Sequence, residues 1–482
     1  MADEFALALR MLAFDRGRAQ PLAGRRRVAV RRDAWVLCPL AMAGEDTAVH
    51  AVACGPLAKR TPLVYSVPDP RRRDELFGLF AWLGALLGPY AEACLRAGAY
   101  PQIWVPSRAA VSLLDTLGEY LWHAAGPPEL KPLGRLLVYA AGRAPVAGQQ
   151  ALHAATDVLA QHYATGQQPG EDEHLGALLT WVDPPADAPL DEALARAEAT
   201  PMGVRTDPAF DKRALEGPVA RYNQARKRGA PPAELAPIAA EIDGRLRGEV
   251  LRLYGATKRA VRLLCERFPE RLACLPELEA IEADAYHRYA EKGALYARPG
   301  RPDKPRQAAY EFVGRQLALE NYERALVHHD PLARLRAACE GRVVEGVVRS
   351  VRLIGSGWGA RARFVVESEQ RALRVRRGAE LHLLADPRLK VLVEGLERSG
   401  RHTRLELLVA AGMRSVGAPA EGDAVAFGPP PPVWYELTRG RVRLSHRIDQ
   451  KPWTHDLAPP PAPSPPAESP PPNLLLALEA LR

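Results

Sequence analysis

The sequence predicts an α+β chain of several domains: an α/β region of RNase H-like or Rossmann-like type, a central antiparallel helical region, a small β-barrel of the OB or SH3-like kind, and a disordered proline-rich tail. Three observations support this fold class. Strand and helix patterns alternate over residues 1–200, amphipathic helical patterns fill 207–339, and short runs with a period of two residues fill 340–455. A proline-rich linker, 456–472, then leads to a short amphipathic tail, 473–482.

Length and charge limit the class of protein. The 482 residues are enough for roughly two to four domains, and the formal charge of +8 mildly favours a polyanionic partner. The six cysteines form no C-x-x-C pair, so we expect buried thiols and no zinc site. Neither a signal peptide nor an apolar run long enough to span a bilayer is evident. We therefore predict a soluble cytoplasmic protein with no membrane partner and no cofactor.

The first region begins with strands and continues as alternating strands and helices. Runs rich in β-branched and aromatic residues predict early strands over 28–30, 35–39, 48–54 and 63–67. Apolar positions at spacings of three and four then predict a helix over 74–97. Further along the chain we expect a strand, a helix, a strand and a helix over 102–105, 108–123, 136–139 and 148–163. This order predicts an α/β layer structure.

No catalytic constellation is evident in this region. A metal-dependent nuclease of RNase H-like type needs carboxylates clustered on its central strands to hold two metal ions. Here the strand cores are apolar, and Asp69, Asp74, Asp115 and Asp157 are scattered at helix starts and faces, where capping or solvation explains them. Phosphate-loop, zinc-hydrolase and nucleophile-elbow motifs are also missing. We predict no catalytic residue and no metal site.

The second region is mostly helical. Apolar stripes predict helices over 209–228, 233–268, 276–296, 304–328 and 332–339. The second of these helices carries seven cationic residues away from its apolar stripe: Arg245, Arg247, Arg252, Lys258, Arg259, Arg262 and Arg267. They indicate either a phosphate-facing surface or the solvated face of a long antiparallel helix pair.

The third region has the clearest strand pattern. Period-two runs broken by Gly, Asp-Pro and Ser-Gly turns predict five or six short antiparallel strands between residues 340 and 413, one of them including Leu373 and Val375. Residues 422–427 and 442–444 are expected to complete the barrel.

The same region is rich in arginine. Nine arginines lie between Arg342 and Arg377, against three glutamates. Because the planar fork of arginine binds two phosphate oxygens at once, we predict a nucleic-acid-binding surface here. The predicted contacts are Arg349, Arg352, Arg361, Arg363, Arg374, Arg376 and Arg377. The alternative is a solvated strand face, and only Trp358 and Phe364 are candidates for base stacking.

The tail carries a candidate docking motif. Leu474, Leu475, Leu478 and Leu481 fall on one face of a helix after the stiff proline-rich linker. This pattern suits docking into a groove of a protein partner such as a helicase or ATPase. The alternative is that the segment folds back onto its own chain.

Long helices that lead directly into a small barrel, over about 240–413, resemble the stalk and barrel accessory domains of superfamily 1 helicases of the RNA-decay type. In those enzymes the stalk and barrel sit on the motor and contact the nucleic acid. This chain has no Walker A or D-E-x-x motif. The resemblance therefore implies that the motor is a separate polypeptide.

Five segments resemble those of a family of uncharacterised bacterial proteins common in actinobacteria. They are GQQALHAATDVLAQHYATGQ (148–167), HLGALLTWVDPP (174–185), TDPAFD (206–211), DPL (330–332) and PWTH (452–455). The resemblance spans most of residues 20–455 and implies one dedicated architecture, and it carries over no catalytic residue.

The leading hypothesis is a non-catalytic nucleic-acid-binding adaptor or scaffold subunit. It would contact the nucleic-acid backbone with little sequence preference and work with a separately encoded helicase, ATPase or nuclease, in DNA processing or phage defence. The first alternative is a metal-dependent nuclease with its site in the N-terminal α/β region. The second is a purely structural subunit that binds only protein.

Overall fold

The computed structural model describes residues 4–45, 47–123, 127–148, 151–168, 170–296, 305–355, 360–370 and 373–434. The chain divides into two units, residues 1–301 with 318–432 and residues 302–317 with 433–482. Of the second unit, the structure describes 305–317, which are helical, and 433–434. The other described elements belong to the first unit.

The first part of the chain builds a mixed five-stranded sheet. Its elements are α1 (Glu4–Arg16), β1 (Gln20–Pro21), β2 (Trp35–Ala41), β3 (Val49–Pro56), β4 (Leu63–Ser66), α2 (Arg73–Arg96), β5 (Ile103–Val105), α3 (Arg108–His123), α4 (Lys131–Arg143), β6 (Leu152–Ala154), α5 (Ala155–His162) and β7 (Tyr163–Ala164). The sheet order is β4-β3-β2-β5-β6. Strands β2, β3 and β4 are antiparallel neighbours, whereas β5 and β6 run parallel to β2. Strands β1 and β7 form a separate antiparallel pair.

A helical stretch follows the sheet. Its elements are α6 (Leu175–Val182), α7 (Leu190–Glu198), α8 (Pro208–Phe210), a π-helical turn (Asp211–Leu215), α9 (Glu216–Lys227), α10 (Pro232–Arg267), α11 (Leu275–Tyr296), α12 (Pro305–His329) and α13 (Pro331–Cys339). All five helices predicted between residues 209 and 339 are confirmed to within one residue at each end, the first of them as α8, the π-helical turn and α9 in succession.

The central sheet is buried on both faces, which explains its apolar strands. On β2, Cys38 and Leu40 belong to a core shared with α5, α6 and α10. Leu37 and Ala41, which alternate with them along the strand, belong to a core shared with α2, α3 and α4. Because side chains alternate along a strand, these two cores lie on opposite faces. The sheet is therefore the middle layer between two layers of helices.

Asp330 joins the start of α13 to the N-terminal segment. Its carboxylate is fully buried and accepts hydrogen bonds from the backbone N–H groups of Leu332 (3.0 Å) and Gly24 (2.8 Å). Arg27 Nε, also buried, donates to the same carboxylate at 2.9 Å. Pro331 suits the first helical position, where its missing N–H is not needed. The DPL motif thus holds a helix start against a segment about three hundred residues earlier in the chain.

Residues 136–139 were expected to form a strand, and this prediction is wrong. They lie inside α4, whose buried residues include Leu133, Leu136, Leu137 and Ala140. Spacings of three and four place these side chains on one helical face against the core. An apolar run as short as 136–139 is compatible with a strand and with a buried helix. The apolar spacing of the residues on either side of the run is what distinguishes the two.

Two further predictions in the α/β region are wrong in part. Residues 28–30 form no strand, and hydrogen bonds such as Arg31 N–H to Gln102 Oε1 (2.9 Å) hold the adjoining chain instead. The helix expected over 148–163 begins only at Ala155, because residues 152–154 form β6 beside β5. The other predicted strands and helices of this region are confirmed.

The last described part of the first unit is a closed six-stranded barrel. Its elements are β8 (Val344–Ile354), β9 (Arg361–Ser368), β10 (Glu380–Leu383), β11 (Lys390–Ser399), β12 (His402–Ala411), α14 (Met413–Val416) and β13 (Ala424–Gly428). The order around the barrel is β10-β11-β12-β9-β8-β13, with every neighbouring pair antiparallel. The predicted combination of a mixed α/β region with a small β-barrel is confirmed.

The barrel interior follows the period-two pattern. Phe364 is buried with its ring centroid 5.8 Å from that of Phe427. Leu373 and Val375 were expected in a strand, and this is wrong, because they lie in an extended segment without strand pairing and pack against the barrel core. The predicted strand 442–444, the linker 456–472, the tail 473–482 and the PWTH segment lie outside the described residues.

Among the described residues, α2 alone is long and apolar enough to cross a bilayer by length and composition. Packing accounts for its apolar stripe, since Leu76, Leu79, Phe80, Leu83 and Leu87 are buried in a core with the sheet.

Candidate nucleic-acid interface

The hairpin formed by β8 and β9 continues past most of the residues that pair with the neighbouring strands β13 and β12. Strand β13 pairs with β8 only from Val344 to Val347, and β12 pairs with β9 only from Ser368 to Arg363. In the part of the chain that the structure describes, β8 beyond Val348 and β9 before Arg363 pair only with each other. Residues 352–354 and 361–363 form an antiparallel ribbon, here called the β8–β9 ribbon, and Arg363 at its base also pairs with Leu408 of β12.

Three arginines lie on one face of the β8–β9 ribbon. Arg352 is directly opposite Arg363, Arg361 is opposite Ile354, and all three arginines are exposed. Like charges opposite each other on neighbouring strands are destabilising. Glu394 relieves Arg363, since its Oε2 lies 2.6 Å from Arg363 Nε in an ion pair without hydrogen-bond geometry. Arg352 and Arg361 have no carboxylate partner among the described residues.

The β8–β9 ribbon also exposes aliphatic side chains. Leu353 is 64% exposed and Ile354 is 37% exposed. Burying a side chain of this size contributes about 1.5–3 kcal/mol, so these two residues offer apolar contact area to a partner. Ile354 shares the face of the three arginines, whereas Leu353, opposite Ala362, lies on the other face of the ribbon.

Arg349 lies in the barrel wall and is neutralised there. Its Nη2 donates to Glu367 Oε1 at 2.9 Å, and Arg404 Nε donates to Glu367 Oε2 at 3.3 Å. The hydrogen bond from Arg349, supported by that from Arg404, holds the pKa of the Glu367 carboxyl below its usual range. The adjoining cleft of about 480 Å³ is also lined by Glu345 and Glu369. Its carboxylates outnumber its arginine, so the cleft does not suit phosphate.

The other predicted contacts lie elsewhere on the barrel. Arg374, Arg376 and Arg377 are exposed in the segment before β10. A hydrogen bond from Gly378 N–H to Val393 O (2.7 Å) ties the end of this segment to β11. Strands β11 and β12 separate β10 from β9 in the barrel order. The seven predicted arginines therefore form three groups: Arg352, Arg361 and Arg363 on the ribbon, Arg349 in the wall, and the remaining three before β10.

The two candidate stacking residues contribute no described surface. Phe364 is 1% exposed and fills the barrel interior. Trp358 lies outside the described residues.

The cationic residues of α10 are mostly ion-paired. The pairs are Arg245 with Glu241, Arg247 with Asp243, Arg252 with Glu249, Arg262 with Glu266, and both Arg259 and Arg267 with Asp183. Lys258 donates to a backbone carbonyl oxygen, that of Lys59. These contacts favour the solvated helix face over the phosphate-facing surface.

The scattered carboxylates of the α/β region also have local partners. Asp69 accepts from Asn223 Nδ2 at 2.7 Å, Asp74 pairs with Arg226, and Asp157 pairs with Arg108 at 3.2 Å. Burial, with Glu119 nearby, raises the pKa of Asp115. Among the described residues, no group of three or more His, Cys, Asp or Glu side chains is arranged to hold a metal ion.

The one cysteine on the central strand β2, Cys38, is poorly suited to act as a nucleophile. Cys38 lies at the middle of β2, fully buried, with its Sγ 3.5 Å from Thr257 Oγ1. Burial raises the pKa of its thiol to about 12. Because the thiolate is the reactive form, this cysteine is a structural residue.

Sequence reasoning missed three residues of the candidate interface. The sequence pattern did not single out Leu353 or Ile354, and it did not connect Glu394 with Arg363. One signal was available for the first two, since consecutive apolar residues break the period-two pattern just before a glycine-rich turn. The contact with Glu394 crosses between strands that are distant in sequence, and it has no local signal.

Comparison with known proteins gives no relative. No protein-family model, curated protein or solved structure matches the chain.

Proposed function

We propose that the protein is a non-catalytic, cytoplasmic nucleic-acid-binding adaptor that holds the phosphate backbone with its β8–β9 ribbon. One observation carries the proposal: the register places Arg352, Arg361 and Arg363 on one exposed face of the β8–β9 ribbon, and Arg352 and Arg361 have no carboxylate partner among the described residues. A polyanion would supply the counter-charge that Arg352 and Arg361 lack and would accept bidentate hydrogen bonds from their guanidinium groups. The paired cations of α10 make that helix a poorer candidate.

We infer that the five-stranded sheet is of RNase H-like type. Its order β4-β3-β2-β5-β6, with an antiparallel meander followed by two parallel strands, supports this class. A Rossmann-like sheet would be mostly parallel. The central strand β2 has the sequence WVLCPLA and carries no carboxylate, which supports a non-catalytic role. The sheet then serves as a scaffold for the subunit.

We also propose that the chemistry is supplied by a separately encoded helicase, ATPase or nuclease, recruited through the tail leucines Leu474, Leu475, Leu478 and Leu481. This part of the proposal rests on the sequence pattern. Deleting residues 473–482 should abolish capture of the partner while nucleic-acid affinity stays unchanged. Loss of both together would contradict the division of roles.

The first test is a fluorescence-anisotropy titration with labelled single- and double-stranded DNA and RNA. It compares the wild type with the triple variant Arg352→Gln, Arg361→Gln and Arg363→Gln over about 50 to 200 mM salt. If each arginine neutralises one phosphate, the slope of log K against log salt should fall by about 2.7 on duplex DNA. Affinity should fall with little dependence on sequence.

A matched control removes the same charge elsewhere. Arg252→Gln, Arg259→Gln and Arg262→Gln on α10 replace three exposed, ion-paired arginines. This variant should keep the wild-type slope. Equal losses in the two triple variants would indicate a general charge effect and would contradict the interface. No binding of any nucleic acid by the wild type at low salt would refute the proposed function.

A further inference from the structure

A second cationic site is built from residues that precede the barrel in the chain. A pocket of about 470 Å³ lies where the ends of α1, α6 and α10 meet the β1–β7 pair. Its volume falls within the range of small-ligand sites, which is roughly 300–1,000 Å³. The pocket is here called the Tyr163 pocket, and its lining includes Arg16, Arg18, Gln20, Tyr163, Arg267 and Phe268.

The lining of the Tyr163 pocket is positively charged. Among the described residues that line it, three are arginines and none is Asp or Glu. The guanidinium of Arg18 has no carboxylate or hydrogen-bond partner in the described part of the chain. Arg16 donates from its Nη1 to the side-chain oxygen of Gln20 at 3.4 Å, which leaves its charge uncompensated. Two of the three cations are therefore available to an anion.

Nearby negative charge offsets only part of this. Asp183 lies 3.5 Å from Arg267, but it also pairs with Arg259 at 2.8 Å. Three helices end at the pocket, and each C-terminus carries about −0.5 of a unit charge. When Arg16 and Arg18 are counted with the two arginines that face Asp183, the site keeps a positive surplus of about 1.5 unit charges.

Tyr163 adds a neutral donor to the cations. It is 7% exposed, and its hydroxyl makes no hydrogen bond within the described residues. Burial raises the pKa of this hydroxyl to about 12, although the charges of Arg267 and Arg18 oppose the rise. The ring of Phe268 packs edge-on against it, with centroids 5.3 Å apart, and fixes its orientation. A buried O–H group without an acceptor is costly, and a bound anion would supply one.

This set of donors suits a phosphate monoester. Near neutral pH a monoester carries a charge of about −1.5 to −2 and presents three acceptor oxygens. Each planar guanidinium can bind two such oxygens, and a hydroxyl can donate to a third. A phosphodiester within a strand carries one negative charge and continues at both ends. A concave pocket accepts the end of a molecule more readily than its middle.

We propose that the Tyr163 pocket binds a phosphate monoester, with Arg16, Arg18 and Arg267 holding its oxygens and the Tyr163 hydroxyl donating a hydrogen bond. The monoester belongs either to a free small molecule such as a mononucleotide or to the phosphorylated end of a nucleic-acid strand. The site is independent of the β8–β9 ribbon, so it stands or falls separately from the proposed function.

Isothermal titration calorimetry of the full chain at low salt tests the chemistry. The probes are adenosine 5′-monophosphate, adenosine 3′,5′-cyclic monophosphate and adenosine, which present a monoester, a diester and no phosphate. The monophosphate should bind at one site, at least about tenfold more tightly than the cyclic diester, and inorganic phosphate should compete with it. Equal affinity for the monophosphate and adenosine would overturn the proposal.

A second arm separates the two sources of the phosphate. One short oligonucleotide is compared with a 5′-phosphate and with a 5′-hydroxyl, using the variant Arg352→Gln, Arg361→Gln and Arg363→Gln to remove the ribbon's contribution. Tighter binding of the phosphorylated form would assign the site to strand ends. Binding of the monophosphate without this difference would assign it to free nucleotides. If the phosphate improves binding in neither arm, the proposal is refuted.

Single substitutions locate the site. Arg18→Gln should weaken binding of the preferred phosphate probe about tenfold, and Tyr163→Phe, which keeps the buried ring, about fivefold. Arg247→Gln is the matched control, because it removes an exposed arginine paired with Asp243 about 30 Å from Arg267 along the same helix. Wild-type affinity in both pocket variants, or an equal loss in the control, would overturn the assignment.

Discussion

Replacing Asp330 with alanine should destabilise the first unit strongly. The carboxylate is fully buried, pairs with Arg27 at 2.9 Å, and caps α13. Breaking a buried ion pair by removing one partner costs about 3–5 kcal/mol, because the other charge stays buried. A lost helix cap alone costs about 0.5–2 kcal/mol. The two effects share one carboxylate and overlap, so we expect a loss of about 4 kcal/mol.

Urea unfolding followed by far-ultraviolet circular dichroism measures this loss. With an m-value of about 3 kcal/mol/M, the midpoint should fall by about 1.3 M. The control is Glu92→Ala, because Glu92 forms an exposed pair with Arg96 at 3.8 Å, and such pairs contribute about 0–1 kcal/mol. Asp330→Asn keeps an oxygen for the cap and removes only the charge, so it should be less destabilising than alanine.

A double-mutant cycle separates the ion pair from the cap. Arg27→Met should be much less destabilising in the Asp330→Asn background than in the wild type, because it then removes an unpaired buried cation. The argument fails if Asp330→Ala costs less than about 1 kcal/mol, or if Arg27→Met costs the same in both backgrounds.

Three further perturbations test other parts of the structure. Gly346→Ala should destabilise the barrel by at least about 1–3 kcal/mol in urea unfolding, because its Cβ would lie 2.4 Å from the Glu367 carbonyl oxygen; an unchanged midpoint would contradict the packing. A disulfide reagent at pH 8 should modify exposed Cys339 at once and Cys38 only in urea, since burial raises the pKa of the latter to about 12; equal rates would show that Cys38 is accessible. Burial lowers the pKa of His162 from 6.5 to about 3. Between these pH values its imidazole stays neutral in the folded state but gains a proton in the unfolded chain. The free energy of unfolding should therefore fall as the pH drops from 6.5 toward 3, by up to about 1.4 kcal/mol per unit, and His162→Gln should flatten this dependence; identical pH profiles would refute the assignment.

The barrel could be predicted from the sequence because its pattern is local. Phe364 and Val366 point inward on β9 while Arg361 and Arg363 point outward, as the period-two alternation requires. The β8–β9 ribbon could not be predicted, because its register depends on a bulge between Val348 and Ser350 that no sequence pattern marks. A slip of one residue would move every side chain of the strand to the other face.

Charge was the least predictable property of the candidate site. Arg349 and Arg361 look alike in sequence, but Glu367 neutralises the first, and the second has no carboxylate partner among the described residues. Ion pairing depends on which strands meet, and that information is non-local. For the same reason the sequence could not decide whether the cations of α10 face phosphate or solvent. The decision depends on carboxylates such as Asp183, which lies outside that helix and pairs with two of its arginines.

The strand pairing that closes the barrel leaves the side chains of the β8–β9 ribbon open to evolutionary substitution. Because β13 and β12 pair with β8 and β9 outside the ribbon except at Arg363, whose side chain is exposed, the exposed side chains at 352–354, 361 and 363 can be exchanged without reopening the barrel. Ala362 is the exception, since it is buried in the interior. Target preference can therefore drift, or be engineered, at five surface positions on a scaffold whose stability is set elsewhere.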